Sequence, residues 1–267
     1  MNPLPHLDAG RIYRLAPFEE VVTELRKAFA DGPSVIRPQG VAAQPLVAPA
    51  TAQGSYGLLG NGPSLAPGKG SSVHGSYVQG SYVLVGNDGS AVATLDGAAL
   101  AARRTPAVSA LATDALARDD VRRLGVFGTD VQAREHVRAM RWVRPSLEQI
   151  EIVGREPVAT ERFVAMLRGE GHPAVVASAA DAFHADLICM CTWQSESLFG
   201  LSAGTHFNAV GCGELPVGRV VDDLAALARG EVRRETLDEI TVFVPAGLAV
   251  EDLVVATLAA RNAGLID

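Results

Sequence analysis

Lysine is nearly absent from this chain of 267 residues: of 23 basic residues, only Lys27 and Lys69 are lysines. Chemistry that needs a side-chain amine therefore has two candidates. Cysteine is scarce too, three in all, which excludes a dense disulfide framework and points to a reducing, cytoplasmic setting. No apolar run is long enough to span a bilayer, and the opening MNPLPHLDAGRIYRL has no apolar signal core, so neither a membrane anchor nor an export leader is expected. Positive charge is in deficit, with a net charge of −7, a balance that argues against nucleic acid or an anionic membrane as partner. The six histidines contain no H-x-x-x-H pair. Cys189, Cys191, Cys212 and His206 make too weak a pattern for a metal, and the cysteines read as small buried core residues. No metal site is expected.

What is present is material for a core. A hydrophobic fraction of 48% with 20% charged residues suits a globular protein of one large or two modest domains. Phe18, Val21, Val22, Leu25 and Phe29 recur at helical spacing between Pro17 and Gly32, residues that start and stop a helix. From Pro38 to Asn87, Lys69 is the only Asp, Glu, Lys or Arg, and GSY recurs at Gly54–Tyr56, Gly75–Tyr77 and Gly80–Tyr82. That stretch reads as short strands and glycine-rich loops, either a sheet with tight turns or loops folded over a ligand. Ser90–Leu95 is a strand candidate. Ala98–Ala117 is helical, with Pro106 either kinking it or starting a second segment.

The chain is organised around Val121–Ala133, VRRLGVFGTDVQA: a short apolar strand, a glycine turn and the start of an amphipathic helix. That order is the first βα unit of a dinucleotide-binding fold, with the helix N-terminus facing a pyrophosphate. Gly128, Thr129, Val131 and Gln132 suit the phosphate turn. Asp130 stands where the G-x-G-x-x-A form has its second glycine. It brings a carboxylate to the phosphate position and is also a good helix N-cap. Strands follow at Ile150–Val153, Ala174–Ala177, Asp186–Cys191, Thr205–Gly211 and Glu239–Val244. Helices alternate with them at Pro157–Arg168 (stripe Phe163, Met166, Leu167), Ala179–Phe183, Asp222–Gly230 and Gly247–Asn262. This alternation predicts a doubly wound parallel α/β sheet. After the second strand, where an acid would hold a ribose 2′-hydroxyl, the chain has Gly154-Arg155, which leans toward NADP over NAD. Thr192 and Trp193 lie past a later strand and Gly211 ends the next, the carboxyl edge where such sheets bind ligands. Trp193 either walls a substrate pocket or plugs it.

Four segments, LDGAALAARRTPAVSALA (Leu95–Ala112), LGVFGTDVQAREHVRAM (Leu124–Met140), FNAVGCGELP (Phe207–Pro216) and DEITVFVPAGLAVEDL (Asp238–Leu253), together resemble the ornithine cyclodeaminase/μ-crystallin family in order and spacing. VAPA at Val47–Ala50 resembles a further landmark. The resemblance implies a Rossmann-type domain at 119–238, inserted into a second α+β domain for substrate and dimerisation built from 1–118 and 239–267. It also implies an NADP- or NAD-dependent oxidoreductase of amino-acid C–N bonds, acting on a small amino-acid-like or imine substrate as a homodimer.

Carried over residue by residue, the resemblance makes Arg104 the grip on the substrate carboxylate, and Gly128, Thr129, Asp130, Val131, Gln132, Arg155, Thr192 and Gly211 the cofactor contacts. The family lysine has no counterpart between Arg37 and Asn61, leaving Lys69 as a substitute. The family aspartate position is Gly213, with Glu214 beside it as a displaced carboxylate. The region between that motif and the C-terminal strand is shorter than in typical members. These departures weigh against ornithine cyclodeamination and favour a specialised biosynthetic imine reductase. Two alternatives stand beside it: a homologue without redox activity that binds a small ligand, and an enzyme that reuses the pocket without a cofactor.

Overall fold

The computed structural model describes residues 4–30, 48–49, 56–59, 80–85, 91–192, 200–212 and 215–266. In chain order the first elements are β1 (His6–Leu7), α1 (Ala9–Leu15), α2 (Phe18–Ala30), β2 (Ala48–Pro49), β3 (Tyr56–Leu59), β4 (Ser81–Val85), β5 (Ala91–Asp96) and α3 (Gly97–Leu116). Then come β6 (Arg123–Phe127), α4 (Val131–Val143), β7 (Gln149–Val153), α5 (Pro157–Gly169), β8 (Ala174–Val176) and α6 (Ala179–Ala182). The chain closes with β9 (Leu187–Met190), β10 (His206–Asn208), β11 (Arg219–Val221), α7 (Leu224–Arg229), β12 (Thr241–Phe243) and α8 (Ala249–Asn262).

Two compact units result, one joining Met1–Ala107 to Gly247–Asp267, the other Val108–Ala246. The sequence reading drew these divisions at 118/119 and 238/239. The first observed division falls inside α3, because Ser109 and Thr113 on its second half bond into the parallel unit, to His136 Nε2 (3.2 Å) and Met140 Sδ (3.5 Å). The second falls after β12, because that strand pairs with β10 and β11.

In the first unit the strand order is β1-β5-β4-β3-β2, antiparallel apart from the parallel β1–β5 pair. The predicted stripe of α2 is the buried one: Phe18, Val21, Val22, Leu25 and Phe29. β1 and α1 were not foreseen; α1 is too short for a clear period, but Asp8 caps it by accepting the Arg11 N–H at 2.8 Å. Pro106 lies within one unbroken helix α3. The missing N–H is tolerated because Leu100, Ala102, Ala107 and Val108 are buried on either side of it. Arg103 lays its guanidinium over Phe18, 4.1 Å from the ring centre, and so acts as core packing.

The second unit holds the doubly wound sheet, order β11-β12-β10-β9-β6-β7-β8, parallel throughout. Strand order reverses between β6 and β9, the switch point at whose carboxyl end such sheets bind ligands. Phe127, Ile188, Met190, Phe207 and Val242 fill one core cluster against Phe183 of the α6 end. Met166, predicted on the α5 stripe, is exposed; Thr160 and Val164 are buried with Phe163 and Leu167 in its place. β11 was missed because its three residues carry no period. The last carbonyls of α3 are met by two arginines: Arg144 Nη2 donates to Thr113 O at 3.0 Å and Arg234 Nε to Leu116 O at 2.7 Å. Among the described residues no helix is long and apolar enough to cross a membrane.

Candidate functional site

In the second unit, the predicted phosphate turn forms as a glycine hinge. Gly128 has φ +135°, a conformation that side chains disfavour, and donates its N–H to Val153 O at 2.9 Å. An added Cβ there would stand 3.1 Å from Thr192 Cγ2, which sets Thr192 against the turn. Gly211 closes the same edge by donating to Met190 O at 2.7 Å. Gly128, Thr129, Asp130, Val131, Gln132, Thr192 and Gly211 thus gather at the carboxyl ends of β6, β9 and β10.

Asp130 is the N-cap of α4, its side chain accepting the Ala133 N–H at 3.0 Å. Its backbone is extended, φ −104° and ψ −172°, so the chain's own fold does not demand glycine at this position. The carboxylate takes one of the donors that an anion at the helix N-terminus would use. Asp130 is half-buried, and among the described residues this is its one side-chain hydrogen bond. The turn therefore fits a pyrophosphate in backbone form and opposes it by one charge.

After β7 the absence of the ribose-binding acid has a steric cause. A Cβ on Gly154 would lie 2.1 Å from Thr160 Oγ1 and 2.7 Å from Thr129 Cγ2. The Thr160 hydroxyl is held there by donating to Glu156 O at 2.8 Å. Arg155 follows, exposed.

The thiols at this edge are not activated. Burial pushes Cys189 up to about 12 and Cys191 well above the ordinary thiol range, the latter with Cys189, Asp130 and Cys212 adding to it. Cys212 is likewise pushed up to about 12 by burial. His206 bonds to Thr241 Oγ1 at 2.9 Å, and burial lowers it to about 3. Burial lowers His136 to about 4 against a bond to Gln132 O. Both imidazoles are neutral at pH 7. Among the described residues no three His, Cys, Asp or Glu side chains gather in a way that could hold a metal ion.

In the first unit, Arg104 is not a free guanidinium. Nη1 donates to Glu251 Oε2 at 2.8 Å and Nε lies 3.1 Å from Asp252 Oδ1, with 11% of the arginine side chain exposed. Burial opposes the arginine charge, but Asp252 and Glu251 outweigh it and hold the group protonated. Burial raises both carboxyls, with Arg104 working against the rise. The buried Tyr82 phenol is raised by burial and by Asp252. Sequence reasoning missed Glu251, Asp252 and Tyr82. The signal was two adjacent acids inside the apolar run Leu248–Leu258, which marks buried and therefore paired charge. Lys69, Trp193 and Glu214 lie outside the described residues.

With that geometry in hand, comparison with known proteins gives a consistent result. The profile of the ornithine cyclodeaminase/mu-crystallin family matches residues 69–217. The chain is 30% identical over 214 residues to a Delta(1)-pyrroline-2-carboxylate reductase of Bacillus cereus, covering 63% of this chain and 66% of that one. It is 31% identical over 208 residues to the ketimine reductase mu-crystallin of Mus musculus, covering 64% and 65%. The match thus spans just under two thirds of the length of these relatives. Among solved structures, a probable ornithine cyclodeaminase from Bordetella pertussis superposes with TM-score 0.75 at 25% identity over 98% of this chain and 97% of that one. The Thermococcus litoralis Delta(1)-pyrroline-2-carboxylate reductase, in complex with NADH and L-proline, does so with TM-score 0.75 at 23% identity, covering 97% of each chain.

Proposed function

We propose that this chain, which belongs to the ornithine cyclodeaminase/mu-crystallin family, is an NAD(P)H-dependent reductase of a small imine bearing an α-carboxylate. The observation that carries the reading is the Gly128 turn at the switch point of a doubly wound sheet, in a chain whose relatives include a pyrroline-carboxylate reductase and a ketimine reductase. When bound, the dinucleotide supplies the hydride. Gly128, Thr129, Val131 and Gln132 hold its pyrophosphate, with Thr192 and Gly211 completing that edge. Arg155, standing where the ribose-binding acid would follow β7, answers the 2′-phosphate of NADP. Arg104 orients the substrate by its carboxylate. From the sequence, Glu214 and Lys69 are carried forward as the groups that handle the proton, and Trp193 as a wall of the substrate pocket. A homodimer in a reducing, cytoplasmic compartment completes the reading and suits the three free cysteines.

Oxidation of NADPH followed with Delta(1)-pyrroline-2-carboxylate and its six-membered homologue tests this directly. Turnover that depends on both partners is expected; binding of nucleotide without turnover of either imine would sink the substrate class. A second reading, a homologue without redox activity, rests on the Asp130 cap. It predicts that neither NADPH nor NADH binds while amino-acid-like ligands do.

A further inference from the structure

The end of β7 is closed to side chains, although it lies beside the phosphate turn. Gly128 donates its N–H to Val153 O at 2.9 Å, so the next residue, Gly154, sits against that turn. A Cβ at position 154 would fall 2.1 Å from Thr160 Oγ1, 3.2 Å from Thr160 Cβ and 2.7 Å from Thr129 Cγ2. Thr160 has little freedom to retreat. It is 2% exposed, and its hydroxyl donates to Glu156 O at 2.8 Å. Its backbone N–H donates to the same carbonyl at 3.0 Å, and a β-branched side chain in a helix is stiff at χ1.

This wedge has a chemical consequence. A dinucleotide with a free ribose 2′-hydroxyl gains from an acceptor carboxylate at the end of this strand, whereas a 2′-phosphate gains from a cation. Position 154 cannot supply the acceptor. The next acid in the chain, Glu156, is committed to capping α5, where its carboxylate accepts the Val158 N–H at 3.2 Å and the Ala159 N–H at 2.7 Å. Between the two positions stands Arg155, exposed.

We propose that Thr160 is a positioning residue that sets the nucleotide preference: by holding position 154 to glycine, it denies the ribose a carboxylate and leaves Arg155 to select the 2′-phosphate of NADPH. Thr129 Cγ2 is the second side of the same wedge. The inference deepens the reductase reading and rests on its placement of the dinucleotide at the Gly128 turn.

The test installs the missing acid with and without the wedge. Gly154→Asp is made in the native chain and in a Thr129→Ser/Thr160→Ala background, where the serine keeps the hydroxyl of the phosphate turn. NADPH and NADH are titrated calorimetrically into each full chain, and each protein is unfolded in urea. In the relieved background, Gly154→Asp should shift the affinity ratio toward NADH by roughly ten- to hundredfold, the worth of a hydrogen bond to a charged group. In the native background the same substitution should lower the urea midpoint or prevent folding, and any folded protein should still prefer NADPH. An equal shift in both backgrounds, or no shift in the relieved one, overturns the assignment. Weaker NADH binding in Glu156→Gln also overturns it, because that carboxylate would then be the ribose acceptor. Should neither Asp variant fold, Gly154→Ala decides: a lowered midpoint that the relieved background restores supports the wedge, and an unchanged midpoint overturns it. Binding of neither nucleotide by the native chain removes the reductase reading and this assignment together. Binding with an unmoved preference removes this assignment alone.

Discussion

In two places of this molecule, donors of the kind an anion would use are met by a carboxylate of the chain itself. At the start of α4, Asp130 takes the Ala133 N–H; on α3, Arg104 is held by Glu251 and Asp252. The difference lies in burial. Asp130 is half-buried, where a helix cap contributes about 1 kcal/mol and water can take over the carboxylate. Glu251 is buried to 1% side-chain exposure, and a buried pair cannot be opened without stranding a charge. One carboxylate can be replaced by water, whereas the other two are part of the framework that holds the arginine.

The strongest way to break this comparison is Arg104→Ala. It strands two buried carboxylates and should cost about 3–5 kcal/mol, read as a lower urea midpoint; a loss below 1 kcal/mol would mean that the carboxylates find other partners. At the other place, Asp130→Gly should raise NADPH affinity. The repulsion between unit charges at about 4 Å is ~1 kcal/mol in water and ~4 kcal/mol near a protein surface, so a gain of roughly five- to thousandfold is expected. Calorimetry on both proteins measures it, and unchanged affinity would show that the carboxylate swings clear of the ligand.

Gly154→Ala is next. Its Cβ would stand 2.1 Å from Thr160 Oγ1, and such overpacking costs about 1–3 kcal/mol; pairing it with Thr160→Ala should recover part of the loss in a chemical-denaturation series. The smallest effect is that of acid acting through any one buried histidine of the second unit. His136 and His206 are lowered by burial to about 4 and about 3, so below pH 6.5 the unfolded chain binds protons that the folded chain refuses. Their contribution is complete above pH 6.5 and is lost as pH falls toward those values. Each loses up to about 2 kcal/mol between pH 6.5 and pH 5. Melting temperatures across that range should fall less steeply in His136→Gln than in the native protein.

The same contrast separates what is legible in the sequence from what is not. The parallel sheet was legible because each of its longer strands is a short apolar run closed by a turn, and because α2, α4 and α5 carry helical periods. β1, α1 and β11 are too short to show a period, and Pro106 offers either a kink or a second segment, where the structure has one helix α3. At the candidate site, Gly128 and Asp130 were visible because a turn is local in sequence. Arg104 was visible as well, but its partners Glu251 and Asp252 lie far away in the chain, and no spacing rule connects residues on α3 and α8. Gly154 is legible as the place of a missing acid, but the Thr160 hydroxyl that crowds it lies in packing.

Titration of the native protein with NADPH and then NADH tests the central claim most directly. Saturable binding of both, tighter for NADPH, is the result expected of a Gly128 turn that admits pyrophosphate beside Asp130 and of Arg155 after β7. If neither nucleotide binds the native protein, and neither binds Asp130→Gly, the turn is not a dinucleotide site and the reductase reading is contradicted.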